Sequence, residues 1–151
     1  MAQLQRVDGQ VELKCHADMN FDLWANKINL FLIICPDKIK NMHVEGQWNK
    51  AGSVITTYYA INRVNMSLKA RVLEIDEKNK LVRYKYFDGL ITEKYYKTLQ
   101  SKLQVIPKGN GCIVKWSIEY EKINEDSPDA NVYIDFLIAI AKDGDAYLCK
   151  A

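Results

Sequence analysis

Gly46 and Gly52 flank a short polar insert in VEGQWNKAGSV, residues 44–54, and Ser53 follows the second glycine. Glycines leading into a hydroxyl residue can form a phosphate-cradling loop, in which backbone amides and a lysine hold a nucleotide. Such a loop needs four residues between the glycines, a lysine after the second, and a helix beyond. Here five residues intervene, Ser53 stands where the lysine belongs, and an alternating β-type run follows. The segment is expected to be the hairpin between the second and third strands, with Trp48 folded back on the body. It is not a nucleotide site.

Cysteine and histidine offer little more. Cys15, Cys35, Cys112 and Cys149 are scattered without a C-x-x-C pair, and the two histidines, His16 and His43, have no metal-ligand spacing. No metal and no cofactor is expected. MAQLQRVDGQ carries no apolar signal core, which makes a cytoplasmic protein the default and predicts reduced, buried thiols over disulfides. No paired carboxylates and no nucleophile–base arrangement stand out, so no catalytic residue is assigned. Asp88 and Lys115 are conceivable proton carriers. Asp88 serves a turn equally well, and Lys115 points to solvent between Val114 and Trp116.

The remaining candidates are hydroxyls set among apolar residues. One strand face offers Val82, Tyr84 and Tyr86, and another offers Leu99, Ser101, Leu103 and Val105. Ile55, Thr57 and Tyr59, and Cys112, Val114, Trp116 and Ile118, make two more such faces. Tyr133, Phe136, Leu137, Ile140, Gly144, Tyr147 and Leu148 share a helical face near the C-terminus. Apolar area mixed with a few hydroxyls suits an amphipathic small molecule. The ligand-facing set is Tyr59, Tyr84, Tyr86, Leu99, Ser101, Leu103, Trp116, Phe136, Leu137, Ile140 and Tyr147. Alternating tyrosines also make good plain sheet packing, and pattern alone favours packing over a pocket.

What must position these residues is a strand-rich frame. Strands are predicted over 3–14, 38–48, 53–61, 65–76, 80–87, 91–106 and 111–121, each closed by a turn signal such as Asn62-Arg63 or Asp88-Gly89. Connections this short make antiparallel hairpins. The phase changes along 65–76, where Met66, Leu68, Ala70 and Val72 share one face but Leu73 and Ile75 the other, predict a bulge. Asp18 is the expected N-cap of a helical stretch that ends at Pro36 and breaks into two short helices. Ser127-Pro128-Asp129 is expected to start a long C-terminal helix, with Asp135, Lys142 and Asp145 off its packed face.

At 151 residues, 48% hydrophobic and 26% charged, the chain is expected to be one domain, 1–151, with an ordinary core. A net charge of +2 with dispersed lysines gives no nucleic-acid footprint, and no apolar run is long enough to span a bilayer.

The element order, together with VEGQWNKAGSV, IDEKNKLVRYKYFDG and VKWSIEYEKINEDSPDANVYIDF, resembles the major latex protein-like family of plants. That family lies within the birch-pollen-allergen and pathogenesis-related class-10 superfamily, and the resemblance covers essentially the whole chain. It implies an α+β helix-grip (START-like) fold: a seven-stranded curved antiparallel sheet around a long C-terminal helix, with two short helices, enclosing a hydrophobic cavity. It also implies a cytosolic, defence- or stress-related carrier or reservoir for a lipid, hormone, terpenoid or alkaloid-type metabolite, as a monomer or weak homodimer. A minority of the superfamily are cofactor-free cyclases or isomerases, which keeps that alternative open. Three departures stand out: Asp88-Gly89 where relatives often carry Glu-Gly, a glycine-rich loop reduced to Gly46 and Gly52, and an unusual short-helix region, NKINLFLIICPDKI. The ligand is therefore not transferable from any one relative.

Overall fold

Alternating runs with tight turns give seven strands, here seen in a computed structural model that describes residues 4–150. They are β1 (Leu4–Leu13), β2 (Ile39–Glu45), β3 (Val54–Ile61), β4 (Val64–Asp76), β5 (Leu81–Gly89), β6 (Tyr96–Lys108) and β7 (Gly111–Lys122). The expected first-strand start at residue 3 lies outside the described residues. All pairings are antiparallel, in the order β1-β7-β6-β5-β4-β3-β2, so sequence neighbours are spatial neighbours except where β1 joins β7. The helices are α1 (Ala17–Asn26), α2 (Phe31–Ile34), α3 (Leu90–Lys94) and α4 (Asn131–Cys149), with a 3₁₀ turn at Ile28–Leu30 between α1 and α2. Among the described residues, no helix is long and apolar enough to cross a membrane.

The turns explain the register. Ile61 pairs with Val64, and Asn62 and Arg63 between them have φ of 52° and 67°, the two-residue hairpin geometry that matches strand twist. In the β2–β3 connection Ser53 is buried, its Oγ accepts from Gln47 N at 3.0 Å, and Gly52 N donates to Val72 O at 2.7 Å. Gly46 has φ of 106°, and a Cβ there would run into Ser53 Oγ. Trp48 packs on the body as expected. The loop closes on the sheet and exposes no amide cradle.

The bulge expected in β4 is present at Leu73, and a second lies in the partner strand β5 at Phe87. Lys69 pairs with Asp88 but Ala70 with Tyr86, which pushes Phe87 out, where Arg71 lies over its ring at 5.7 Å. Val72 pairs with Tyr84 and Glu74 with Arg83, leaving Leu73 unpaired, so Ile75 returns to the inner face opposite Val82. Val72 and Val82 are both fully buried.

Four expectations need correction. The stretch from 91 is not continuous strand: α3 occupies Leu90–Lys94 before β6 begins, because Gly89 at φ 147° turns the chain and Thr92 Oγ1 donates to Gly89 O at 3.0 Å. The N-cap of α1 is His16, whose Nδ1 accepts from Asp18 N at 3.1 Å, and Asp18 sits in the first turn. α4 starts after Ala130 with no side-chain cap. The SPD segment is used otherwise: Pro128 O accepts from Tyr96 Oη at 2.8 Å and Asp129 pairs with Lys122 at 2.8 Å.

The cysteines are the fourth. Cys15 and Cys149 form a disulfide across 134 residues, with Cα atoms 5.8 Å apart. The end of β1 and the end of α4 meet because buried Asp145 accepts from Lys14 N at 2.9 Å, Cys15 N at 3.0 Å and Asn20 Nδ2 at 3.3 Å. Asp145, expected off the packed face, is thus a central fastening of α4. Cys35 and Cys112 are free and buried, and burial pushes each thiol up to about 11. The approach is close along this end: a Cβ on Gly144 would sit 2.9 Å from Leu23 Cδ2 and 3.2 Å from Phe31 Cε1. Close packing accounts for Gly144.

Candidate functional site

The sheet curls over α4, and the space between them is a cavity of about 140 Å³. Inward positions of neighbouring strands build its wall, since every second residue faces one side. β3 contributes Ile55, Thr57 and Tyr59; β5 contributes Tyr84 and Tyr86; β6 contributes Leu99, Ser101 and Leu103; β7 contributes Trp116 and Ile118. The register sets Tyr84 opposite Ser101 and Leu103 opposite Trp116. α4 closes the open side with Tyr133, Phe136, Leu137 and Ile140.

Ten of the eleven residues picked from the sequence line this space. Tyr147 does not: it is 43% exposed. It shares a helical stripe with Phe136 and Ile140, but the last turns of α4 bury Ala141, Gly144 and Asp145 instead. That later face is turned toward β1 and α1 by the Asp145 hydrogen bonds and the Gly144 contact, and Tyr147 lies off it.

The sequence did not single out Trp24, Ile28 and Phe31 from α1, the 3₁₀ turn and α2, nor Ile39, Met42, Leu68, Ala70 and Ile91, as wall residues. Trp24, Ile28 and Phe31 lie within the helical stretch expected to end at Pro36, but only the bend between α1 and α2 lays them against the cavity. Trp24 and Phe31 stack at 4.8 Å between centroids. Ile91 had no signal, because α3 was hidden inside an apparent strand.

The polar chemistry of the wall is narrow. Tyr86 Oη and Ser101 Oγ share a hydrogen bond of 2.8 Å. Among the described residues the wall carries no Asp, Glu, Lys, Arg, His or Cys; its ionisable groups are Tyr59, Tyr84, Tyr86 and Tyr133. Burial pushes all four phenols above their ordinary range, Tyr133 up to about 12. They are neutral hydrogen-bonding groups at physiological pH. Asp88 and Lys115, the other conceivable proton carriers, are exposed and outside the wall.

Phe136 belongs both to this wall and to an outer crevice with Lys38, Lys40, Asn62, Arg63 and Asp135. Its ring packs on Tyr59 at 5.6 Å, so this aromatic pair stands between crevice and cavity. The group of Cys15, Asp145 and Cys149, whose ligand atoms lie within 4.8 Å of one another, is accounted for by the disulfide and the carboxylate's hydrogen bonds.

Comparison with known proteins agrees with this architecture. Ginseng major latex-like protein 151 from Panax ginseng superposes with a TM-score of 0.90 at 31% identity, over 95% of this chain and 97% of that one. MLP-like protein 423 of Arabidopsis thaliana is 34% identical over 143 residues, 93% of this chain and 92% of the relative. The chain spans a smaller share, 43% and 46%, of the Arabidopsis MLP-like proteins 28 and 34. Norcoclaurine synthase from Thalictrum flavum shares the fold at a TM-score of 0.82 and 15% identity, covering 99% of this chain and 89% of the synthase. The family model for the pathogenesis-related protein Bet v 1 family matches residues 2–151. With a seven-stranded sheet gripping a C-terminal helix and relatives of this similarity over nearly its whole length, the chain belongs to the Bet v 1 family, among its major latex protein-like members.

Proposed function

We propose that this protein is an intracellular plant carrier or reservoir that holds a small hydrophobic or amphipathic metabolite in the cavity between sheet and α4. The observation that carries the reading is the wall itself: almost wholly apolar, with tyrosine, serine and threonine hydroxyls and, among the described residues, no carboxylate, amine or imidazole. Such a site binds by removing apolar surface from water, roughly 25 cal/mol per Å². It orients the guest through a few hydrogen bonds. The outer crevice and the cavity share Phe136, which makes the Tyr59–Phe136 pair the expected point of entry.

The wall disfavours a cyclase or isomerase. Proton transfer at neutral pH works best with a group whose pKa is near 7, and burial moves these tyrosines the other way. Likeness to norcoclaurine synthase at 15% identity extends to the fold only.

Native mass spectrometry of the freshly purified chain tests the carrier reading. Saturable one-to-one binding with the ligand recovered unchanged is expected. If a broad panel of terpenoid, phenolic, alkaloid and lipid compounds gives neither a bound mass nor a thermal shift, the reading fails. Conversion of a reactive iridoid, alkaloid or polyketide intermediate that is lost in Tyr84→Phe, with the fold intact, would replace it with catalysis.

A further inference from the structure

Cations that are dispersed along the sequence are gathered on the outer face of the sheet. Tyr84, Tyr86, Ser101 and Leu103 line the cavity, so the residues that alternate with them on β5 and β6, Arg83, Lys85 and Lys102, point away from it. Arg71 of β4 does the same between buried Ala70 and Val72. The register sets Arg71 directly opposite Lys85 and Arg83 directly opposite Lys102, and all four are exposed. Like charges directly opposite one another in a sheet are destabilising, so two such rungs side by side call for an explanation.

The β1 edge of the same sheet shows the opposite pattern. There Arg6 stands opposite Glu119 and bonds Asp8 at 2.8 Å, and Lys108 meets Glu12 at 3.2 Å. Around the four cations the acids are few. Glu74 lies 3.6 Å from Arg83, and Asp88 stands opposite Lys69. Gln100 separates Lys85 from Glu119, and Ser117 separates Lys102 from Asp8. Arg71, Lys85 and Lys102 make no ion pair among the described residues.

An apolar group accompanies the charges. The β5 bulge turns Phe87 outward, where it is 45% exposed with the Arg71 guanidinium over its ring. Arg71 also donates to Gly52 O at 3.1 Å, which holds the guanidinium beside that ring. Cations clustered at an exposed aromatic ring match an anionic bilayer, whose head groups attract the charges and whose acyl boundary takes the ring. A single-stranded nucleic acid needs free aromatic faces for its bases, and the Phe87 ring is already covered by Arg71. An acidic peptide would use the cations and leave the ring in water.

We propose that the outer face of β4, β5 and β6 docks on an anionic lipid bilayer, with Arg71, Arg83, Lys85 and Lys102 at the head groups and Phe87 at the acyl boundary. Docking needs no guest in the cavity, so it stands or falls apart from the carrier reading.

Flotation of the intact chain with vesicles tests it. Phosphatidylcholine vesicles containing about 30% phosphatidylserine should bind at least about tenfold more tightly than phosphatidylcholine alone, since each surface cation contributes roughly fivefold. Raising the salt from about 0.05 M to about 0.5 M should abolish that preference. At equal total anionic charge, neither a single-stranded oligonucleotide nor poly-glutamate should displace the chain from the vesicles. A preference below about tenfold, a preference that survives salt, or displacement by either polyanion overturns the bilayer as the partner.

The variant Lys85→Glu with Lys102→Glu places an acid opposite each arginine, which relieves both like-charge pairs and keeps the fold. Its vesicle binding should fall at least about tenfold. Lys142→Glu with Lys150→Glu makes the same change of net charge on exposed residues of α4, and its binding should stay within about threefold of the wild type. Equal losses in the two double variants would reduce the effect to net charge and sink the proposal. Phe87→Ser should weaken binding at least about threefold and keep the salt dependence. Wild-type affinity in that variant would leave a contact of charge alone and overturn the bilayer as well.

Discussion

The two halves of α4 do different work. From Tyr133 to Ile140 the helix roofs the cavity, and Tyr133, Phe136 and Leu137 are only half-buried. From Ala141 to Cys149 it is fastened: Gly144 lies against Leu23 and Phe31, the Asp145 carboxylate takes three hydrogen bonds, and Cys149 is bonded to Cys15. One helix is anchored at its end and left loosely packed along its middle. A tight end holds the helix in place while the loose part is free to accommodate a guest, since local stability follows the density of buried contacts.

The largest break in that comparison is Asp145→Ala. It strands the Lys14 and Cys15 backbone amides, while the Asn20 amide keeps Cys15 O at 3.2 Å, and unfolding in urea should show a loss of about 4 kcal/mol. A loss below about 1 kcal/mol would mean the end of α4 is not anchored there. Next is the disulfide: Cys149→Ser, or reduction of the wild type, should cost about 2–4 kcal/mol for a closure spanning 134 residues. After reduction a thiol reagent should label exposed Cys149, while Cys35 and Cys112, buried with raised pKa, stay slow in the native state. An unchanged melting temperature under reductant would show that Asp145 alone suffices.

Substitutions at the roof should be milder. Leu137→Ala removes a half-buried side chain that already faces open space and should cost about 1 kcal/mol, well below a close-packed leucine. It should also shift binding toward bulkier ligands. A loss as large as that of Asp145→Ala would erase the distinction between the halves. Smallest is Tyr59→Phe, which removes a buried hydroxyl without a protein partner and should raise the stability of the ligand-free protein by up to about 1 kcal/mol. A loss of stability would show the hydroxyl is already satisfied.

The wall also has a pH signature. Tyr59, Tyr84, Tyr86 and Tyr133 have folded pKa values raised above the ordinary value of 10.0 by burial, Tyr133 to about 12. A raised value means the native state keeps its proton where the unfolded chain releases it. Their stabilisation is therefore complete below pH 10 and falls as pH rises from there through the folded values. Alkaline unfolding followed by circular dichroism, with tyrosinate absorbance read in a Tyr58→Phe/Tyr147→Phe background that removes the two exposed phenols, should show both changes in one step. Tyrosinate that forms well before unfolding would place these phenols in water.

Much of this was legible because strands and tight turns are local. Alternation fixed which faces of β3, β5, β6 and β7 point together, so Tyr59, Tyr84, Tyr86, Leu99, Ser101, Leu103 and Trp116 could be grouped from the sequence. The phase error at Leu73 announced its bulge, since a strand cannot change faces without an extra residue. What failed was long-range. Nothing near Cys15 reveals Cys149, and Asp145 reads as a solvent residue until β1 supplies amides for it. α3 was missed because five residues are too few for a helical period to show.

By itself, then, the sequence determined seven antiparallel strands, the irregularity in β4, the broken helices before Pro36, and a long C-terminal helix. These depend on neighbouring residues and on steric rules of the backbone. Only the tertiary structure decided that Tyr147 leaves the wall while Trp24 and Phe31 join it, and that the chain's ends are tied through Asp145 and a disulfide. It also decided which donors lie buried without partners. Those outcomes depend on how α4 is rotated and fastened against elements more than 100 residues away in sequence, and no local pattern encodes that rotation.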